Sequence, residues 1–279
     1  MKVYISMDAE GISGIFKLSQ VMTPNKEYEF ARRMMANDIN AAAEGAFRAG
    51  ATQVIVNDGH NSGDNLLIDQ LDERIELISG GIRDLGMAQG SNLGADAALL
   101  IGYHRRKGAK GVISHSYSYG SMVEIKLNEK IISEHDIVGY CIGYFGVPVV
   151  FLSGDDLTVA DAQESIPGIY SVITKECISN NAALCYHPKK NAFNITNTVE
   201  SALKNYSHIK PLSINGKINL DVRFSAEIQA RMASNIKNAV LLNENTVRFQ
   251  GNDYLEVYKS FMQGSYLAAI FRDDAYLYF

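Results

Sequence analysis

The chain has 279 residues, of which 47% are hydrophobic and 20% are charged, and its formal net charge is −5. This composition is typical of a globular protein with a sizeable core and excludes an intrinsically disordered chain. Because nucleic-acid-binding proteins need a basic surface, the acidic balance argues against that class of partner, and the densest basic cluster, "HRRKGAK" (104–110), is read as a solvated loop.

The cysteines and the N-terminus indicate a cellular compartment. Cys141, Cys177 and Cys185 are odd in number and widely spaced, so they form neither a disulfide framework nor a C-x-x-C metal pair. Such usage is typical of a reducing environment. The N-terminus has no long apolar signal segment, and no apolar run approaches the ~20 residues of a membrane helix. We therefore expect a soluble, cytoplasmic protein that has no membrane partner.

The first half of the chain alternates apolar runs with helical patterns. Strands are predicted at 2–6, 52–57, 96–102, 111–115 and 147–154. Apolar residues at steps of three or four predict a helix over 23–50, with Thr23 as its cap, Pro24 in its first turn and Gly50 at its left-handed end. A weaker helical pattern, a hairpin that turns at Asn128–Glu129 and a further helix are predicted at 83–94, 122–132 and 136–146, respectively.

This alternation predicts an α/β fold with three layers: a mostly parallel sheet with helices on both faces. The composition becomes polar near 187–191, "HPKKN". Helices are then predicted at 191–206, 225–236 and 252–270, and strands at 217–224 and 246–250. The sequence therefore predicts an α/β domain over 1–190 and a smaller α+β C-terminal domain over 191–279.

Carboxylates and histidines directly follow several predicted strands. They are Asp8, Glu10, Asp58, His60, His104 and His115. The carboxyl ends of parallel strands lie along one edge of a sheet, so these side chains can converge. Imidazoles favour zinc or another transition metal, and carboxylates can bridge two ions. The joint pattern predicts a metal site, although each residue alone also fits a turn, a cap or a semi-buried histidine. Asp58 in particular either orients a ligand imidazole or is a turn residue.

The stretch "SMDAEG" (6–11) resembles the S-x-D-x-E-G signature of the DppA-type zinc-dependent D-aminopeptidases. The segments "VNDGH" (56–60), "GYH" (102–104), "SHS" (114–116) and "SGDD" (153–156) follow in that family's order and at close to its spacing. The resemblance covers most of the chain and weakens after about residue 190.

The resemblance implies a site with two zinc ions per subunit. Carried over residue by residue, its metal ligands are Asp8 as the bridging carboxylate, Glu10, His60, His104 and Glu134. Around Glu134, the stretch "SEHDIVG" (133–139) departs from the family's G-E-x-G-x-N-A pattern, so His135 and Asp136 remain alternative ligands. His115 matches the family's catalytic residue.

By this resemblance, we expect a binuclear zinc aminopeptidase that uses metal-activated water to remove the N-terminal residue, of the D-Ala type, from short peptides. We expect His115 to stabilise the tetrahedral intermediate or to carry a proton to the leaving amine, rather than to act as a covalent nucleophile. The resemblance also implies a homo-oligomeric ring. Two alternatives are a non-hydrolytic dipeptide-binding protein linked to peptide transport and a binuclear metallohydrolase of another amide.

Overall fold

The computed structural model describes residues 1–23 and 25–271, which form two sheets with helices packed on them. The helices are α1 (Tyr28–Arg48), α2 (Glu134–Tyr144), α3 (Asp156–Ser165), α4 (Pro188–Asn205), α5 (Glu227–Ala233) and α6 (Tyr254–Ile270). The strands are β1 (Lys2–Met7), β2 (Gln53–Asp58), β3 (Ile75–Ile78), β4 (Ala97–Ile101), β5 (Met122–Leu127), β6 (Lys130–Ile131), β7 (Val149–Asp155), β8 (Tyr170–Ser179), β9 (Ala182–Cys185), β10 (Ile218–Phe224), β11 (Ala239–Asn243) and β12 (Thr246–Gly251). Short 3-10 helices at Leu18–Gln20, Ile68–Gln70, Gly86–Ala88, Ser91–Leu93 and Tyr206–His208 lie in the connections.

The first sheet has the strand order β3-β2-β1-β4-β7-β8-β9 and is parallel except for β9, which pairs antiparallel with β8. Its central strands carry apolar runs that are buried on both faces: Val3, Tyr4 and Ile5 of β1 are fully buried, and so is every residue of β4. Helices α1 and α4 pack together, while α2 and α3 pack against β7. The predicted α/β fold with a mostly parallel sheet is confirmed.

The second sheet is antiparallel and has the order β11-β12-β10-β5-β6, with α5 and α6 packed against it. Strand β10, which matches the strand predicted at 217–224, alternates buried apolar residues with more exposed polar ones. The hairpin β5–β6 turns at Asn128 and Glu129, whose φ angles of 45° and 73° match the twist of a two-residue hairpin turn. The predicted domain division at residue 190 stays a prediction, and this hairpin from before that residue pairs with β10 from after it.

The predicted strand at 111–115 is wrong, because other groups bind the backbone that a strand would need for pairing. The N–H of Val112 donates to Asp155 Oδ2 at 2.7 Å, and the N–H of Ile113 donates to the carbonyl of Asn180 at 2.8 Å. Ile113 also has a φ of 50°, which is incompatible with a strand. Residues 111–115 therefore form a loop.

The predicted start of the first helix is also wrong, since α1 begins at Tyr28 rather than at Thr23. Asn25 makes its own turn: its Oδ1 accepts the N–H of Glu27 at 2.9 Å, which competes with helical hydrogen bonding. Pro24 lies outside the described residues. Gly50 ends the helix with a φ of 92°, as predicted. The pattern at 83–94 gives only two short 3-10 helices, while α3, β8, β9 and β11 were not predicted.

Within residues 1–23 and 25–271, no helix combines the length and the apolar character that crossing a membrane would require.

Candidate metal centre

The carboxyl edge of the first sheet gathers the residues predicted for the metal site. Asp8, His60 and His104 come within three residues of the ends of β1, β2 and β4, which are neighbours in the sheet. Parallel strands place these ends side by side, so residues far apart in sequence meet. His115 lies further along the connection after β4, and Glu134 is the first residue of α2.

Two glycines allow the loop after β1 to lie directly against the loop after β4. The N–H of Gly11 donates to the carbonyl of Gly102 at 2.7 Å. A Cβ atom on Gly11 would overlap the carbonyl oxygen of Tyr103, and Gly102 has a φ of 78°, a conformation that glycine adopts without steric cost. This close approach places the carboxylates of Asp8 and Glu10 near His104.

Asp8 lies between two histidines and turns one carboxylate oxygen towards each. Its Oδ1 is 3.2 Å from His60 Nδ1, and its Oδ2 is 3.4 Å from His104 Nε2. A second carboxylate faces His60, because Glu10 Oε2 is 3.4 Å from the same Nδ1. Likewise, Glu134 Oε1 is 3.2 Å from His104 Nε2. The centre thus consists of two histidine–carboxylate pairs joined by Asp8, and all five side chains are buried.

His115 stands beside this centre with its ring stacked on that of His104. The ring centroids are 4.1 Å apart and the rings are within 8° of parallel. His115 Nε2 is 3.9 Å from Glu10 Oε1. The carbonyl of Ile113 lies within hydrogen-bond distance of the His115 ring and holds it in place. Ile113 itself has a positive φ, a strained conformation for a β-branched residue. His115 is therefore held with one nitrogen facing the carboxylates.

Each of the three histidines places one ring nitrogen within hydrogen-bond distance of a backbone carbonyl. The pairs are His60 Nε2 with Val21 O at 3.0 Å, His104 Nδ1 with Arg105 O at 2.9 Å, and His115 Nδ1 with Ile113 O at 2.9 Å. A carbonyl oxygen only accepts, so in His104 and His115 Nδ1 carries a proton. His60 Nε2 also lies 2.8 Å from the Nδ2 of Asn61, a donor, so the Val21 carbonyl alone does not fix the tautomer of His60. In the neutral rings of His104 and His115 the opposite nitrogens present lone pairs to the centre, which is how metal-binding histidines are usually oriented.

Burial and neighbouring charges shift the pKa values of Asp8, His104 and His115. Burial first, and then the charge of Glu10, raise the pKa of Asp8 to about 7. Burial acts to lower the pKa of His104, but the nearby carboxylates, Glu134 first, raise it to about 10. Burial and the neighbouring His104 lower the pKa of His115, which favours its neutral form. Perturbation of this kind is concentrated at functional sites.

The donor set fits a zinc centre. Within the described residues, Asp8 Oδ2, Glu10 Oε2 and His104 Nε2 are buried without a hydrogen-bond partner, and such atoms are costly unless something binds them. Two groups have ligand atoms that all lie within 4.8 Å of one another: Asp8, Glu10 and His104, and His104, His115 and Glu134. Nitrogen and carboxylate oxygen donors in tight groups are the ligands that zinc prefers.

Of the alternatives for the last ligand, the structure brings only Glu134 into the centre. Glu134 faces His104, and its Oε1 also accepts the N–H of Tyr117 at 2.6 Å. Asp136 is engaged elsewhere, because its Oδ2 accepts the N–H of Ser133 at the start of α2. His135 is fully buried and neither of its ring nitrogens has a hydrogen-bond partner among the described residues, but its Nε2 faces Asp136, with Oδ1 3.6 Å away, rather than the carboxylates of the centre. The ligand assignment itself stays a prediction.

Asp58 is a turn residue and does not contact an imidazole. Its carboxylate accepts the N–H groups of Asn65 and Leu66 and the side-chain amide of Asn65. The same amide donates to the carbonyl of His60 at 2.7 Å, so this turn holds the His60 loop in place. Sequence reasoning missed the carbonyls that orient the histidines, because every residue carries one and no side-chain signal marks them.

Comparisons with known proteins show the family to which the chain belongs. A family model described as D-aminopeptidase matches residues 1–263. A D-aminopeptidase from Bacillus subtilis (strain 168) is 34% identical over 269 residues, which are 96% of this chain and 98% of that protein. The solved structure of the zinc-dependent D-aminopeptidase DppA from Bacillus subtilis, described as a self-compartmentalizing protease, matches with a TM-score of 0.91 and 33% identity, covering 96% of this chain and 98% of that one. The chain therefore belongs to the D-aminopeptidase family and is a hydrolase of the aminopeptidase class.

Proposed function

We propose that the chain removes N-terminal D-residues from short peptides at a centre that holds two zinc ions. The main support is the position of Asp8, whose two oxygens face different histidines, each paired with a further carboxylate. One bridging carboxylate between two such pairs is the arrangement that two neighbouring cations need. The solved relative is zinc-dependent, which favours zinc as the metal.

Two ligand sets follow from the contacts. Glu10 and His60 would hold one ion, His104 and Glu134 would hold the other, and Asp8 would serve both. When bound, zinc supplies Lewis-acid chemistry and makes water nucleophilic at neutral pH. The chain's own contribution is orientation, because backbone carbonyls hold the rings of both ligand histidines and the Arg105 carbonyl fixes the tautomer of His104.

His115 is proposed to carry the proton of the reaction. Its Nδ1 donates to Ile113, so Nε2 of the neutral ring is free to accept a proton. Nε2 faces the carboxylate cluster, where it can take a proton from attacking water and give it to the leaving amine. This assigns His115 general base and acid roles in turn, and it makes a covalent intermediate unnecessary.

The preference for short peptides is proposed to come from restricted access. The ligand side chains are buried, and His115 is 7% exposed. The solved relative is described as self-compartmentalizing, and we propose that this chain likewise assembles into a homo-oligomeric ring that encloses its sites. The free thiols of Cys141, Cys177 and Cys185 support a reducing, cytoplasmic location.

The test combines metal analysis with hydrolysis of D-Ala-D-Ala and of L-Ala-L-Ala, with and without a chelator. We expect two zinc ions per chain, faster cleavage of the D-peptide, and loss of activity on chelation that added zinc restores. Activity indifferent to chelation, or a single ion per chain in the active protein, would contradict the proposal. Cleavage of other amides without either dipeptide would favour the metallohydrolase alternative, whereas the family assignment argues against the non-hydrolytic dipeptide binder.

A further inference from the structure

Lys175 is a fully buried cation in β8 that takes no part in the proposed ligand set. Its Nζ donates to three backbone carbonyls, those of Glu10 at 2.6 Å, Ile12 at 2.8 Å and Ile15 at 2.6 Å. All three belong to the loop that follows β1 and carries the first carboxylates of the metal centre. One side chain therefore binds this loop at three points.

The contacts require the charged form of the side chain. Carbonyl oxygens only accept hydrogen bonds, and only the ammonium form of lysine has three N–H groups to donate. A lysine is almost never fully buried unless it is paired with an opposite charge. Within residues 1–23 and 25–271, no carboxylate forms an ion pair with Lys175, so the carbonyls are the direct compensation for its burial.

The strand order shows that Lys175 binds a loop that begins three strands away in the sheet. Between β1 and β8 lie β4 and β7, so the loop after β1 crosses the ends of two strands before it meets Lys175. Neighbouring side chains reinforce the attachment. Thr174 Oγ1 donates to the carbonyl of Gly11 at 2.6 Å, and the amide of Asn191 donates to Ser13 Oγ at 2.9 Å.

We propose that Lys175 is a positioning residue that fixes the backbone of Glu10, and with it the carboxylates of Asp8 and Glu10, in the geometry that metal binding requires. This inference rests on the proposed zinc site. The carbonyl of Glu10 is bound by Lys175 while its carboxylate faces His60, so the residue is held on one side and presented on the other. Groups that orient metal ligands in this indirect way are worth about 10- to 100-fold in metal affinity.

The test uses the full-length Lys175→Gln protein, which keeps donors but loses the charge and one of the three hydrogen bonds. Zinc affinity is measured by competition with a chromogenic chelator, and the ligand geometry by the visible spectrum of the cobalt(II)-substituted protein. We expect zinc affinity to fall about 10- to 100-fold and the cobalt spectrum to shift. The Lys175→Arg protein, which keeps the charge, is expected to recover part of the affinity.

Thr196→Val is the matched control, because it removes a buried hydrogen bond to the carbonyl of Ala41, between α4 and α1 and away from the centre. It should lower thermal stability while leaving zinc affinity and the cobalt spectrum unchanged. Lys175→Met is a second variant without the ammonium group, and its side chain is wholly apolar.

Wild-type affinity and an unchanged cobalt spectrum in folded Lys175→Gln or Lys175→Met would overturn the positioning role. So would failure of both variants to fold in the presence of zinc, since Lys175 would then be a requirement of the fold as a whole. If the wild-type protein itself bound no zinc, the proposed zinc site would fail as well, which distinguishes that result from a failure confined to Lys175.

Discussion

The crossing of the loops after β1 and β4 should tolerate no side chain at residue 11. In Gly11→Ala, the new Cβ would lie 2.5 Å from the carbonyl carbon of Gly102 and would overlap the oxygen of Tyr103. Carbon atoms in contact are separated by at least about 3.5 Å, so the two backbones must move apart by about 1 Å. Overpacking of this kind costs about 1–3 kcal/mol, and a weakened hydrogen bond from Gly11 to Gly102 adds about 1 kcal/mol.

The same displacement should also damage catalysis. It separates Asp8 from His104, which are 3.4 Å apart, and a misplacement of about 1 Å at a catalytic centre can cost about 100-fold in rate. The free energy of unfolding is measured by urea denaturation in the presence of a chelator, and kcat/KM on D-Ala-D-Ala with zinc. Gly120→Ala is the control, because its Cβ meets nothing within 4 Å. Equal stability and equal kcat/KM for Gly11→Ala and the control would refute the proposed crossing.

Three further predictions concern the centre and its surroundings. His115→Ala should lower kcat about 10²- to 10⁴-fold while zinc content stays unchanged, and normal turnover would exclude the proton-transfer role. Removal of zinc should lower the melting temperature, because free zinc at 1,000 times its Kd stabilises the folded state by about 4 kcal/mol; an unchanged thermal scan would contradict this. Burial raises the pKa of the Asp38 carboxyl, so its folded-state penalty is absent below its unfolded pKa and grows as pH rises above it. Asp38→Asn should therefore increase the free energy of unfolding at pH 7 but not near pH 3, and the reverse order in urea titrations would show the sign to be wrong.

The parts of the fold that sequence patterns predicted are those with strong local periodicity. The apolar runs of β1 and β4 and the recurring face of α1, formed by Ala31, Met35 and Ile39, are buried as expected. The two wrong predictions, the start of α1 and the strand at 111–115, occur where a side chain forms a hydrogen bond with the backbone. Asn25 delays the start of α1 by forming its own turn, and Asp155 takes the N–H that a strand at 111–115 would need. Neither competition is visible in hydrophobic patterning.

The candidate site was predictable as a set of residues but not as an arrangement. Polar residues after buried strands indicate one edge, yet they do not reveal that β2, β1 and β4 are neighbours in that order. That order places Asp8 between His60 and His104. The last ligand candidate comes from a helix, and its neighbour Asp136 instead accepts a hydrogen bond at the start of that helix. Contacts that depend on chain topology have no signature in a local motif.

Metal binding also depends on backbone groups that orient the ligand side chains. A change in these groups leaves every ligand residue in place, so the list of ligands does not reveal it. A variant could keep every carboxylate and histidine and still lose the metal if the carbonyl of Val21 or Arg105 moved away from its ligand imidazole. The same holds for Lys175, which contacts no proposed ligand side chain but binds the backbone of Glu10. Function in this chain therefore depends on where the loops at the sheet edge are anchored as much as on the side chains that they present.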